Sequence, residues 1–208
     1  MLIAEQLMLL LLDPERGELD VRYDATDPDR LAAAAILLDL AEQRSLGYRG
    51  GHVAFLSRFP SGHPVLSAAG ETLAAAGPGL PLSAALDLIE TRIASISHAL
   101  LEGLHRRDLL HRLRKPAWWP FGPRKYPLRS LQARNEAITA LRASTKKSAL
   151  REDGLLLLID CAGRLAGFLD AAGHTRATAM LLSLGQRRDR PDSSDALLGA
   201  LRATLLDE

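Results

Sequence analysis

The residues best suited to meet another molecule lie together between positions 106 and 134. Both tryptophans, Trp118 and Trp119, stand with Phe121 in the run Lys115-Pro116-Ala117-Trp118-Trp119-Pro120-Phe121-Gly122-Pro123-Arg124-Lys125-Tyr126-Pro127. Arg106, Arg107, Arg112, Arg114 and Lys115 precede the rings, and Arg124, Lys125, Arg129 and Arg134 follow them. Asp108 is the single acid in that span. The prolines and glycine predict a turn rather than a helix. Aromatic rings at a loop tip, collared by cations, suit the boundary between water and lipid headgroups. Each large ring buries on the order of 150–250 Å². At roughly 25 cal/mol per Å², three half-buried rings offer several kcal/mol, and each nearby Lys or Arg adds about 1 kcal/mol on an anionic surface. Together these terms suit reversible binding to a membrane surface. The same rings would also serve as anchors of a protein contact, or fold back to cap the core.

Other chemistry finds no support in the residue pattern. The histidines His52, His63, His98, His105, His111 and His174 form neither an HExxH pair nor a Cys/His set, so no metal is expected. The chain has no GxGxxG, GxxxxGK[ST] or GxSxG pattern. The acids Glu15, Glu18, Asp20, Asp24, Asp27 and Asp29 read as helix caps and solvated charge rather than a catalytic pair. Cys161 is the lone cysteine and lies in an apolar run, which predicts a buried, inert thiol in a reducing compartment. No catalytic residue and no cofactor are expected.

The elements that position the cluster are mostly helices. Aromatics make up 4% of the 208 residues, so the core must rest on Leu and Ala, which favour helix. The formal net charge of +1 supplies no global field, and an electrostatic partner must be read locally. The first residues lack a positive n-region. The longest apolar runs, such as Leu31 to Leu38, fall short of the roughly 18 residues of a spanning helix. A helix is predicted over Leu2 to Leu12 and a short strand over Gly17 to Tyr23. Asp27-Pro28-Asp29 opens a second helix with an Asp cap and Pro at its first position. That helix carries an Ala run that permits close packing and marks it as central. A β-hairpin is predicted over Leu46 to Tyr48 and His52 to Leu56, and a helix from Pro64 to Ala76. One long amphipathic helix is predicted from Pro81 to about Arg107, with Ile89, Ile93, Ile96, Leu100 and Leu104 along one face. Leu109 to Arg114 and the segment near Tyr126 form the arms of a second hairpin. Further helices are expected over Leu128 to Arg142, around Leu155 to Phe168, over Arg176 to Leu184 and over Ala196 to Leu206, with a polar linker at Arg187 to Ser194.

The order of these pieces resembles the Golgi phosphoprotein 3 family, in one of its short bacterial versions. The resemblance is carried by Glu5-Gln6-Leu7-Met8-Leu9-Leu10-Leu11, Gly17-Glu18-Leu19 and Leu37-Leu38-Asp39-Leu40-Ala41-Glu42-Gln43-Arg44-Ser45-Leu46. It continues in Leu104-His105-Arg106-Arg107-Asp108-Leu109-Leu110, then the hairpin and Tyr126-Pro127-Leu128. It implies a mostly α-helical single domain without catalysis that binds phosphoinositides at a membrane surface, inserts a hydrophobic hairpin and, in eukaryotes, retains glycosyltransferases in the Golgi as an adaptor. The family's headgroup pocket uses a Trp and three Arg. Its Trp position falls at or beside Tyr23 or Asp24, its early Arg near Ala33 with Arg30 one turn before, and its other two Arg near Ala94 and Ser97. With those exchanges, a general anionic-lipid binder is expected rather than a specific phosphatidylinositol 4-phosphate reader.

The expectation is therefore a mainly α, compact single-domain fold over residues 1–208, with short β-hairpins and a protruding basic, aromatic hairpin at 108–127. Trp118, Trp119 and Phe121 would insert into a membrane. Arg112, Arg114, Lys115, Arg124, Lys125 and Arg129, with Tyr23 and Arg30 by resemblance, would bind headgroups. The expected partners are an anionic phospholipid surface at the cytoplasmic, inner face of a membrane, membrane-protein clients, and further copies of the chain through the hairpin. Two rivals compete: a soluble oligomeric scaffold, and a winged-helix-like nucleic-acid-binding regulator built on the Asp27 to Arg44 helix and the hairpin after it. A recognition helix presents Arg, Lys, Asn or Gln to bases, whereas this one presents Ala, which disfavours a nucleic-acid partner.

Overall fold

In the computed structural model, residues 1–20, 26–56, 62–113, 125–144, 149–186 and 194–206 are described. Three helices form the centre: α1 (Ile3–Leu11), α2 (Pro28–Glu42) and α7 (Leu150–Cys161). Each is predominantly apolar and is buried over most of its length. Every residue of α1 is buried, as is every residue of α2 from Arg30 to Leu40 and of α7 from Asp153 to Ile159. A helix without a polar face has no stable place on a surface. The Ala run of α2 lets α1 and α7 approach closely, and Gly154 of α7 continues this fit. A Cβ on Gly154 would stand 2.7 Å from Leu38 Cδ1.

Around the centre pack α3 (Pro64–Ala76), α4 (Leu82–Arg92), α5 (Ile96–Arg106), α6 (Leu131–Ser144), α8 (Ala171–Gln186) and α9 (Ser194–Leu206). A short 3-10 turn at Leu165–Gly167 leads into α8. The fold is mainly α, as expected. Its sheet is small and antiparallel: β1 (Leu46–Arg49), β2 (His52–Phe55) and β3 (Leu80–Pro81), in the order β1-β2-β3. Leu46 pairs with Phe55 and Val53 with Leu80. Asp27 caps α2 as predicted, its carboxylate accepting from the Asp29 N–H at 2.8 Å.

Four expectations need correction. The strand expected over Gly17 to Tyr23 is, in its described part, a single bridge of Leu19 to Leu12. The helix expected around Leu155 to Phe168 ends at Cys161, and the 3-10 turn follows it. The predicted helix from Pro81 to Arg107 is two helices, α4 and α5. Ser95 takes a left-handed conformation, φ 51°, and the chain turns there. The apolar stripe survives the break because each half still buries its own part: Ile89 in α4, and Ile96, Leu100 and Leu104 in α5. Helix α6 begins at Leu131 rather than Leu128, because Leu128 is held in a β-bridge with Leu110. The Arg30–Leu40 stretch of α2, the helix on which the winged-helix rival is built, is buried.

Candidate functional site

The segments 109–113 and 125–129, expected as the arms of a hairpin, pair with each other. Leu110 bridges Leu128 in antiparallel register. The His111 N–H donates to Pro127 O at 2.8 Å, the Leu113 N–H to Lys125 O at 3.1 Å and the Arg129 N–H to Leu109 O at 3.0 Å. The return strand also bonds on its other side, as alternating strand geometry requires. Its Tyr126 N–H donates to Gly17 O at 2.7 Å and its Leu128 N–H to Pro14 O at 3.2 Å. Gly17 has φ +67°, and a Cβ there would lie 2.3 Å from Pro127 N. Glycine is thus required twice over, by conformation and by close backbone approach. The turn after α1 and the hairpin base are consequently one unit.

One side chain pins this unit to the body. Tyr126 is fully buried, and its O–H donates to Glu102 Oε1 at 2.7 Å. Its oxygen also lies 3.0 Å from His98 Nε2, and the two rings meet edge to face. Arg112 Nη1 on the outgoing strand reaches the same Glu102 oxygen at 3.2 Å. Burial works to raise the Glu102 carboxyl, but the Tyr126 hydrogen bond and the charges of Arg112, His98 and His105 hold it below its ordinary value. Glu102 therefore stays ionised and ties both strands to α5.

The other described cations of the neck also have single carboxylate partners. Lys125 Nζ stands 2.9 Å from Glu18 Oε1, and Arg129 Nη1 stands 2.6 Å from Asp108 Oδ1. The side chains of Arg112, Lys125 and Arg129 are 46%, 44% and 51% exposed. Ion pairs this exposed contribute about 0–1 kcal/mol. A phosphate replaces such a partner at little cost.

Arg30 sits elsewhere and in a different setting. Its side chain is 7% exposed and pairs with both Asp87 and Glu90 of α4, the latter at 2.6 Å. Next to it, the Ser97 N–H at the start of α5 donates to Asp29 Oδ1 at 2.8 Å. Of the positions matched to the family's headgroup pocket, Arg30 and the Ser97 backbone are thus engaged by the chain's own carboxylates. The structure brings Arg112, Lys125 and Arg129 together at the hairpin neck and keeps Arg30 apart from them. Tyr23, Arg114, Lys115, Trp118, Trp119, Phe121 and Arg124 lie outside the described residues.

Sequence reading missed the counter-charges Glu18 and Glu102 and the role of Tyr126. A signal existed for part of this. His98 and Glu102 stand four apart on one helix face, and Tyr126 alternates with Lys125 and Pro127 as an inward strand position does. The pairing of Glu18 with Lys125 joins distant segments and leaves no local trace. Cys161 is buried as predicted, and burial, with Asp160 adding to it, pushes its thiol up to about 12. Among the described residues no group of three His, Cys, Asp or Glu is arranged to hold a metal, and no helix is long and apolar enough to cross a membrane.

Among curated proteins none matches the chain. The family model described as Golgi phosphoprotein 3 (GPP34) matches residues 3–208, nearly the full length. The match runs through the buried α1–α2 centre, the hairpin neck and the C-terminal helices alike, and the chain belongs to the Golgi phosphoprotein 3 family.

Proposed function

We propose that this chain is a non-enzymatic peripheral membrane protein that binds anionic phospholipid headgroups, phosphoinositides among them, through the hairpin at 108–127. The observation that carries the reading is the neck. The ladder from Leu109–Leu113 to Lys125–Arg129 draws the two ends of the segment 114–124 together, and that segment holds Trp118, Trp119 and Phe121 with Arg114, Lys115 and Arg124. Half-exposed Arg112, Lys125 and Arg129 stand at its mouth. Apolar insertion and cation–phosphate contact act together in such a device, and reversible binding needs both. Family membership supports the same reading and extends it to an adaptor role for membrane proteins. The association would be with the cytoplasmic, inner face of a membrane, and several hairpins in a homo-oligomer would strengthen it.

Co-sedimentation with neutral and anionic liposomes at two salt concentrations tests the proposal. Binding is expected to require anionic lipid and to weaken with salt. Absence of binding to every liposome would overturn the reading and leave the hairpin as an assembly element.

A further inference from the structure

The register of the hairpin neck decides which of its side chains share a face. Leu110 lies opposite Leu128. The bonds from the His111 N–H to Pro127 O and from the Leu113 N–H to Lys125 O continue that register toward the tip. Arg112 therefore stands opposite Tyr126, His111 opposite Pro127, Leu113 opposite Lys125 and Leu109 opposite Arg129. Successive side chains of a strand point to opposite faces, and directly opposed residues share one. The contacts agree with this division. Arg112 and Tyr126 both reach Oε1 of Glu102 on α5, Leu110 is buried and Leu128 packs on the core. These four form the inner face.

The outer face has a different composition. Its six positions, 109, 111, 113, 125, 127 and 129, carry no acid. His111, Leu113 and Arg129 are exposed, and the Lys125 side chain is half-exposed. The carboxylates that meet its two cations come from neighbouring segments, Glu18 to Lys125 and Asp108 to Arg129, and are themselves 41% and 77% exposed. Glu102 on the inner side is 23% exposed and is bonded by Tyr126 as well as Arg112. The outer cations can thus exchange their partners for phosphate, whereas Arg112 shares a carboxylate that the buried Tyr126 keeps in place. An exposed leucine beside exchangeable cations suits the boundary between headgroups and acyl chains. The same face runs on into the segment 114–124, which holds the three rings.

We propose that the neck lies on the anionic lipid surface by its outer face, with Leu113 at the acyl boundary and Lys125 and Arg129 on phosphates, while Arg112 on the inner face holds the hairpin to α5 and touches no lipid. The inference rests on the hairpin reading above and divides the cations of that reading into two roles.

Three variants of the full chain remove the same single charge from the same neck: Arg112→Gln, Lys125→Gln and Arg129→Gln. Each is sedimented with vesicles of phosphatidylcholine and phosphatidylserine. Lys125→Gln and Arg129→Gln are expected to weaken binding about threefold each and about tenfold together. Arg112→Gln is expected to bind as wild type does, with the same salt dependence. A loss in Arg112→Gln equal to theirs overturns the outer-face assignment and leaves the hairpin reading standing. Absence of wild-type binding to any vesicle overturns the hairpin reading itself. A second measurement does not depend on charge. Cys161 is buried, so a fluorophore attached at Leu113→Cys reports the outer face. Quenching by phospholipid brominated near its headgroup is expected. A signal that changes with protein concentration in the absence of vesicles, without quenching in their presence, would give this face to a second copy of the chain and overturn the proposal.

Discussion

Arg30 and Arg129 carry the same guanidinium in two opposite settings. Arg30 is 7% exposed, belongs to the buried centre and is paired with two carboxylates of α4. Arg129 is 51% exposed, belongs to the hairpin neck and faces one carboxylate that is itself 77% exposed. In the Arg30 pairing only the arginine is buried, Asp87 being 64% exposed, and a buried guanidinium that gives up its carboxylates is itself left uncompensated. An exposed pair exchanges its partner for water or phosphate at almost no cost. The centre fixes its charges to hold the fold, and the neck keeps its charges exchangeable. On the proposed reading, binding capacity follows from exposure and pairing, not from the number of cations.

The largest expected effect breaks the link between the two regions. Gly17→Ala strains a positive-φ position and drives a methyl into the backbone of Pro127; a loss of about 4 kcal/mol is expected in urea denaturation. A loss below 1 kcal/mol would mean that the turn after α1 does not hold the hairpin.

Next come two buried carboxylates of the centre that shift in opposite directions. Asp39 accepts the Ile3 and Ala4 N–H groups at 2.8 and 3.0 Å, yet burial raises it from 3.8 to about 6. Burial also works to raise Glu5, but hydrogen bonds from His63, the Leu2 N–H and Arg107 outweigh it and bring the group from 4.5 to about 2. Glu5 contributes stability above pH 4.5, and this is lost as pH falls toward 2. Ionised Asp39 costs stability above pH 6, and this is recovered as pH falls through 6 toward 3.8. Each effect is about 3 kcal/mol at most. Urea midpoints across pH should show that Glu5→Gln removes the acid-side loss and Asp39→Asn flattens the rise. An unchanged profile in either variant would contradict its assignment.

Arg30→Met sharpens the contrast directly. It is expected to cost about 2 kcal/mol of stability and to leave liposome binding as in wild type. A loss of lipid binding without a loss of stability would move Arg30 into the binding surface. The smallest stability change belongs to Arg112→Gln, Lys125→Gln and Arg129→Gln combined, about 1 kcal/mol. The same variant should bind anionic liposomes about tenfold less tightly and with a shallower salt dependence.

Much of the fold is legible in the residues. Asp27-Pro28 announces the start of α2, the Ala run its central place, Gly50-Gly51 the turn between β1 and β2, and Pro64 and Gly77 the limits of α3. These signals are local, so one segment suffices to read them. The break at Ser95 is not legible, because the apolar periodicity continues across it. The strand at Leu80–Pro81 is hidden as well: two residues, one of them proline, gain strand geometry only by pairing with His52 and Val53. The site divides in the same way. The cations and rings of 106–134 are visible as composition, whereas their carboxylate partners Glu18 and Glu102 arrive through tertiary contact.

The central claim is that the hairpin is the membrane contact. Its most direct test is co-sedimentation of W118A/W119A/F121A with anionic liposomes, alongside a check that its urea midpoint matches wild type. The rings and cations together predict a loss of at least about tenfold in binding with the fold intact. Full binding by the folded variant would contradict the claim.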